Sequence, residues 1–309
     1  MSRSERRHQP RLLRPYHPGA GEGVHAGDGL AHIRLSREEA HHVLHVLRMR
    51  AGDTLELLDG AGTVVRCRLS RDPPNAAPVN THHDQTWLLP LHTHTTPPPR
   101  PQLCLLQGLS SADPMDFTVQ KGIELGLAHF VAVRCERSVG QVDAGRAVRK
   151  LAHWRAVAAS ACQQSGNPWL AAVEGPLAWK DALAWSPSGP CAGEEPGTRW
   201  VLDPHAPVAL ASRLRQPPPW EVPEASTAPQ ALDDGRGSMR ASAQRITLLV
   251  GPEGGLSDAE AQQAASAGFL AVHLGPRTLR TETAALAALA AIQSAWGDWI
   301  APKGLPTEA

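Results

Sequence analysis

Hydrophobic positions along the chain switch period at a proline run. Before it, Ala40, Val43, Leu44 and Leu47 recur at helical spacing behind Ser36-Arg37-Glu38-Glu39, a capping box in which a hydroxyl and a carboxylate cap each other's amides. The spacing predicts a helix that stops near Gly52. Thr54–Leu58 and Thr63–Leu69 then flank Asp59-Gly60-Ala61-Gly62, the pattern of two strands joined where turn residues let the chain reverse. Thr86–Leu91 reads as one more strand. Residues 11–96 therefore read as a small β-rich domain with one helix, residues 1–10 as a disordered extension, and Pro97–Pro99 with Pro101 as a stiff linker.

Beyond the prolines, strands and helices alternate. Leu103–Leu109 is a continuous apolar run of buried-strand type, followed by Asp113-Pro114, read as an N-cap with proline at the first helical position. That helix carries Met115, Val119, Ile123 and Leu125 and ends at Gly126. Phe130–Val133 is a strand, residues 143–164 a long helix, and Ala171–Val173 a short strand. Trp200–Leu202 and Ile246–Val250 are further strands, Ser257-Asp258-Ala259-Glu260 opens a helix with a second capping box, Ala271–Leu274 is a strand, and Glu282–Trp296 is a final helix. Such alternation predicts an α/β domain over residues 101–304 with a largely parallel sheet. Residues 186–198 and 215–244 are rich in Pro, Gly, Ser and Ala without apolar periodicity, and read as loop insertions.

Composition narrows the function. No apolar run reaches the length of a membrane span, and no apolar stretch follows the basic N-terminus, so a cytoplasmic protein is expected. Five scattered cysteines without a C-x-x-C pair suit reduced thiols. A formal net charge of +0 excludes a protein that coats nucleic acid by charge alone. Residues 1–50 nevertheless hold nine arginines against five acids, an excess that fits a phosphate backbone or, equally, an ordinary solvated surface with a basic tail. His41 and His45 have the i, i+4 spacing zinc can use, but no third ligand is evident, and no metal is expected. His92 and His94 read as the solvated face of a strand.

The chemistry concentrates in two glycine-containing turns, each following an apolar strand and preceding a helix. They are Gly251-Pro252-Glu253-Gly254-Gly255 and Leu274-Gly275-Pro276-Arg277-Thr278-Leu279-Arg280-Thr281-Glu282-Thr283-Ala284. In parallel sheets ligands sit beyond the carboxyl ends of strands, and glycines there let the backbone approach a ligand and present free amides. Neither turn is a P-loop or a dinucleotide fingerprint.

These two turns resemble the cofactor loops of the RsmE family of ribosomal RNA methyltransferases. Met115-Asp116-Phe117 through Gln120-Lys121 and Glu124-Leu125-Gly126 is similar to that family's segment ending in Q-K-x-x-E-L-G, and Glu136-Arg137-Ser138 to its E-R-S. Arg14-Pro15-Tyr16-His17-Pro18 and His42 through Val46-Leu47-Arg48-Met49-Arg50 resemble its N-terminal RNA-binding module. The resemblance implies a SPOUT-type parallel sheet with a C-terminal trefoil knot, an N-terminal PUA-like β-barrel, a homodimer, and methylation of N3 of the uridine at position 1498 of 16S rRNA in the small ribosomal subunit, with S-adenosylmethionine (SAM) as methyl donor and no metal. Leu202, Gly251, Pro252, Glu253, Gly254, Leu274, Gly275, Leu279 and Thr283 would hold SAM. Arg14, His17, Arg48, Arg50, Arg137 and Arg277 would meet RNA. Arg280 would stabilise the negative edge of the deprotonated base; Glu282 would either accept its proton or serve as a cap and dipole partner at the helix start. The chain departs from the family at Gln163 and Asn167, where an acid and an arginine are usual, and has no basic residue at Ser110-Ser111. The competing readings are a SPOUT methyltransferase acting on another RNA nucleotide, and an RNA-binding or ribosome-assembly factor that kept the fold without methyl transfer.

Overall fold

Two sheets organise the chain in the computed structural model, which describes residues 10–14, 23–25, 31–71, 86–138, 143–187, 197–220 and 244–300. They belong to two compact units, one of Met1–Pro98 with Cys162–Leu170, the other of Pro99–Ala161 with Ala171–Ala309.

The first unit holds β1 (Arg11–Leu13), β2 (Gly23–His25), β3 (Ala31–Arg34), β4 (Thr54–Leu58), β5 (Thr63–Ser70) and β6 (Trp87–Thr95), in the order β1-β4-β5-β6-β3-β2. Only the β1–β4 pairing is parallel. Along β5, Val65, Cys67 and Leu69 are buried while Arg66 and Arg68 are exposed, the alternation that turns one face of a strand into a core. Leu55, Leu57 and Leu88 complete that core with Val43. The predicted helix is present but short. In α1 (Arg37–His41) the Glu39 amide donates to Ser36 Oγ at 3.2 Å and the Ser36 amide to Glu39 Oε2 at 2.7 Å. The chain then widens into a π-type turn, His42–Val46, with the Leu47 amide donating to His42 O at 2.9 Å. Arg48 takes φ 54°, which ends the helix before Gly52. The wide turn keeps Val43, Leu44 and Leu47 on the core.

The departures at Gln163 and Asn167 fall in this unit. Gln163 Nε2 lies 3.2 Å from His42 Nε2, and Asn167 Oδ1 accepts the Trp169 amide at 3.0 Å. The Trp169 ring lies over Gly62, and its indole N–H donates to Pro97 O at 3.1 Å.

The second unit is built on a wholly parallel sheet. Its strands are β7 (Gln102–Gly108), β8 (Leu127–Arg134), β9 (Ala172–Ala178), β10 (Thr198–Leu202), β11 (Arg245–Val250) and β12 (Leu270–Val272), ordered β12-β10-β11-β7-β8-β9. Every residue of β11 is buried, as a strand covered on both faces requires. The helices are α2 (Ala112–Glu124), α3 (Ala144–Ser165, which passes into the first unit at Cys162), α4 (Trp179–Ala184), α5 (Leu210–Leu214), α6 (Asp258–Ser266) and α7 (Thr281–Trp296). α2 and α5 both pack on α7. The N-cap of α2 is Ser111 and not Asp113. Pro114 therefore falls at the third helical position, where its missing N–H still costs no intrahelical bond. The insertions at 186–198 and 215–244 lie largely outside the described residues, as does His17.

Candidate functional site

Three strand ends define the site. Leu202 closes β10 in register with Val250 of β11 and Val272 of β12. The residues that follow are Gly251 on one side and Leu274, two positions on, on the other. Leu202, Gly251 and Leu274 are thus brought to the carboxyl edge of neighbouring parallel strands, the edge at which open α/β sheets bind ligands.

The first loop is pinned along its length. Gly251 and Pro252 are buried. A Cβ on Gly108, the last residue of β7, would stand 2.6 Å from Pro252 N and 2.9 Å from Gly251 C. Only glycine permits that approach. Glu253 Oε1 accepts from both the amide and the hydroxyl of Ser111, each at 2.9 Å. Ser111 is consequently the N-cap of α2 without a side-chain capping bond of its own. Partial burial raises the Glu253 pKa, but the bonds from Ser111 and from its own amide outweigh that and hold the carboxyl below its ordinary range. Arg137 Nη1 donates to Gly254 O at 3.1 Å and to Leu256 O at 3.4 Å. At the far end, Ser257 and buried Glu260 form the predicted capping box, and Glu260 Oε1 also accepts the Glu136 amide at 2.8 Å. The Glu136-Arg137-Ser138 segment is therefore a brace for this loop.

The second loop is held mainly at its ends. The Gly275 amide donates to His273 Nδ1 at 3.0 Å. Pro276, Arg277 and Thr278 are exposed, Leu279 is half-buried, and Arg280 is exposed as the N-cap of α7. Glu282 sits in the first turn of that helix, where a carboxylate is favoured by the helix dipole. Thr283 is exposed on the same turn. Thr281 is buried and donates its hydroxyl proton to Gly251 O at 2.6 Å, joining the two loops directly.

In the first unit, Arg14 Nη1 donates to Arg34 O at 2.8 Å and lies 3.6 Å from the Glu39 carboxylate. Arg48 and Arg50 are exposed on either side of buried Met49. The His41 and His45 rings lie with centroids 4.9 Å apart, tilted by 36°. No cluster of three or more metal-ligating side chains occurs among the described residues. Burial pushes the Cys67, Cys104 and Cys135 thiols up to about 12, which leaves them protonated at neutral pH.

Sequence reasoning did not single out Ser111, Gln107 or Thr281. The signal for Gln107 was present, since it is the one polar side chain in the apolar run Leu103–Leu109.

A parallel sheet whose two glycine loops leave the strands on either side of β10, carried on the same chain as a separate β-sheet unit, fits an α/β nucleotide-cofactor enzyme with an appended β module. The comparisons make that specific. Residues 96–215 and 221–293 match the RNA methyltransferase domain family, and residues 35–77 match the RNA methyltransferase PUA domain. Ribosomal RNA small subunit methyltransferase E of Mycobacterium bovis is 28% identical over 268 residues, covering 85% of this chain and 86% of that protein. The Bacillus subtilis protein of the same name is 26% identical over 264 residues, covering 84% and 88%. Among solved structures, ribosomal RNA small subunit methyltransferase E from Neisseria gonorrhoeae, bound to S-adenosyl methionine, is 31% identical, superposes with a TM-score of 0.67 and covers 94% of this chain and 100% of that one. A putative methyltransferase from Legionella pneumophila with bound SAM is 25% identical at a TM-score of 0.67. The chain belongs to the RNA methyltransferase family, in its ribosomal RNA small subunit methyltransferase E (RsmE) branch.

Proposed function

We propose that this protein transfers a methyl group from SAM to N3 of the uridine at position 1498 of 16S rRNA, acting in the cytoplasm as a homodimer on the small ribosomal subunit. The observation that carries the reading is the pair of glycine loops at the ends of β11 and β12, on either side of Leu202 at the end of β10, joined by the Thr281–Gly251 bond. Its other support is the kinship with SAM-bound RsmE.

The residues present fit SAM. Gly255 (φ 68°) and Gly275 (φ 117°) each have nothing within 4 Å of a built Cβ, so both loops border open space. Leu202, Gly251, Pro252, Glu253, Gly254, Leu274, Gly275, Leu279 and Thr283 are the residues we assign to hold the cofactor. The C-terminal chain is taken to thread the trefoil knot of SPOUT proteins. When bound, SAM supplies an electrophilic methyl group.

The uridine N3 proton must leave before nitrogen can attack, and N3 is little ionised at neutral pH. Arg280, exposed at the N-cap of α7, is the residue we assign to stabilise the negative O2/O4 edge of the deprotonated ring. Glu282, one helical position beyond Thr281, is the carboxylate available to accept the proton. Arg277 on the exposed loop, with Arg48, Arg50 and Arg14, supplies phosphate contacts.

Incubation with methyl-labelled SAM and small subunits lacking the modification, followed by mapping of the modified nucleotide, tests the reading. Label at N3 of the uridine is expected. Label on another nucleotide would keep the chemistry and move the substrate. Absence of both methyl transfer and SAM binding would leave an RNA-binding factor.

A further inference from the structure

The Thr281–Gly251 bond is one end of a buried chain of hydrogen bonds behind the two loops, which continues to Gln107, a residue outside the family motifs and the cofactor assignment. Thr281 Oγ1 lies 2.6 Å from Gly251 O and 2.8 Å from Gln107 Nε2, which in turn lies 3.2 Å from Gly108 O. The direction of the chain follows from the chemistry of its ends. A carbonyl only accepts, so the Thr281 proton goes to Gly251. The Thr281 oxygen must then accept, which turns the Gln107 amide nitrogen toward it. Both amide hydrogens are spent, on Thr281 and on Gly108 O.

That orientation carries a cost. Gln107 is fully buried, and its Oε1 has no hydrogen-bond partner among the described residues. A buried bare acceptor is unfavourable. A strand that needed only to fill space would carry an apolar side chain here, as Leu105 and Leu106 do. The donor is retained at the carboxyl end of β7, beside the first loop and beneath the residue between Arg280 and Glu282.

We infer that Gln107 and Thr281 are positioning residues for the cofactor site: the chain Gln107–Thr281–Gly251 fixes the first loop to the start of α7 and so sets the separation of the two SAM-binding loops. Neither side chain is assigned contact with SAM or RNA. Gln107 acts through Thr281, and Thr281 through the Gly251 carbonyl and through the helix start that carries Arg280 and Glu282. The inference rests on the proposed SAM-dependent reading.

Titration calorimetry of SAM into the full-length protein tests it, with each variant's folding checked by thermal melting. Wild-type protein must first bind SAM; if it does not, the functional reading fails and not merely this inference. Thr281→Val keeps the shape and removes the hydroxyl, so its dissociation constant should rise roughly tenfold to a hundredfold at a temperature where the variant is folded. Thr281→Ser, which keeps the hydroxyl, should recover most of that loss. Gln107→Met leaves the Thr281–Gly251 bond intact and should weaken binding several-fold, and it serves as the test if Thr281→Val does not fold. A purely structural role would lower the melting temperature of the variants while the folded protein bound SAM normally. Wild-type affinity in folded Thr281→Val, or in folded Gln107→Met where the valine variant does not fold, would overturn the inference.

Discussion

The two glycine loops begin at the ends of β11 and β12, the strands on either side of β10, and are built on opposite principles. Residues 251–257 are anchored at nearly every position: Gly251 by Thr281, Pro252 by its fit over Gly108, Glu253 by Ser111, Gly254 and Leu256 by Arg137, and Ser257 by Glu260. Residues 275–280 are tied at their two ends, by the Gly275 amide to His273 and by the Arg280 carbonyl accepting the Ala284 amide at 2.8 Å, and leave the side chains of Pro276, Arg277, Thr278 and Arg280 exposed. The difference separates two tasks. A loop that binds through its backbone must be rigid before the ligand arrives, because ordering it on binding would subtract from affinity. On the proposed reading the second loop shares the cofactor through Leu274, Gly275 and Leu279 and also presents Arg277 and Arg280 to RNA, which calls for a fixed root at Thr281 and exposed tips.

The contrast breaks most visibly at Gly108. Gly108→Val places carbon against the backbone of Pro252 and Gly251, and backbone cannot yield as a flexible side chain does. We expect loss of SAM binding by calorimetry together with destabilisation of at least about 1–3 kcal/mol in urea unfolding. Normal binding would show that the first loop is not rigidly seated. Glu260→Ala comes next. It removes the reciprocal cap of α6 and leaves the Glu136 amide without its acceptor, an expected loss of about 2–3 kcal/mol. A urea midpoint that did not move would mean that the Glu136–Ser138 brace carries no strain.

A smaller effect is expected from the other end of the sheet. Burial holds the His129 pKa below its ordinary 6.5, with Arg245 acting in the same direction and Glu174 opposing. The folded protein therefore binds fewer protons there than the unfolded chain. The resulting contribution is fully present above pH 6.5 and is lost as pH falls through the histidine's lowered folded value. His129→Gln should flatten the dependence of urea stability on pH below 6.5; an unchanged slope would assign it to other groups. The smallest effect on stability belongs to Arg277→Ala in the exposed loop, within about 0.5 kcal/mol of wild type. Its salt dependence of RNA binding should nevertheless lose about one unit of slope, and equal slopes would remove Arg277 from the phosphate contacts.

How much of this was legible in the sequence differs between elements for physical reasons. Both capping boxes were, because Ser36–Glu39 and Ser257–Glu260 satisfy each other within four residues and need no tertiary partner. The parallel sheet was also legible, from apolar runs such as Ile246–Val250 alternating with helical periods. The length of α1 was not, since the π-type turn at His42–Val46 preserves the apolar face that the helical pattern also describes. The N-cap of α2 was misread because Asp113-Pro114 is a good local start, whereas Ser111 is fixed by Glu253, 142 residues away in sequence. The glycine motifs were visible as motifs. What pins them was not, because Ser111 and Thr281 meet the first loop, and Gln107 meets Thr281, through bonds that no local spacing encodes.

The division of labour between the loops can be read in one variant. For Arg280→Ala, SAM affinity by calorimetry and the rate of methyl transfer to unmodified small subunits at saturating SAM should separate. Affinity should stay within about twofold of wild type, because Arg280 is not among the residues assigned to SAM and the Thr281–Gly251 bond that joins the two loops is untouched. Transfer should fall about a hundredfold or more, because the charge opposite the uridine edge is gone. Loss of affinity in step with rate, or an undiminished rate, would contradict the account.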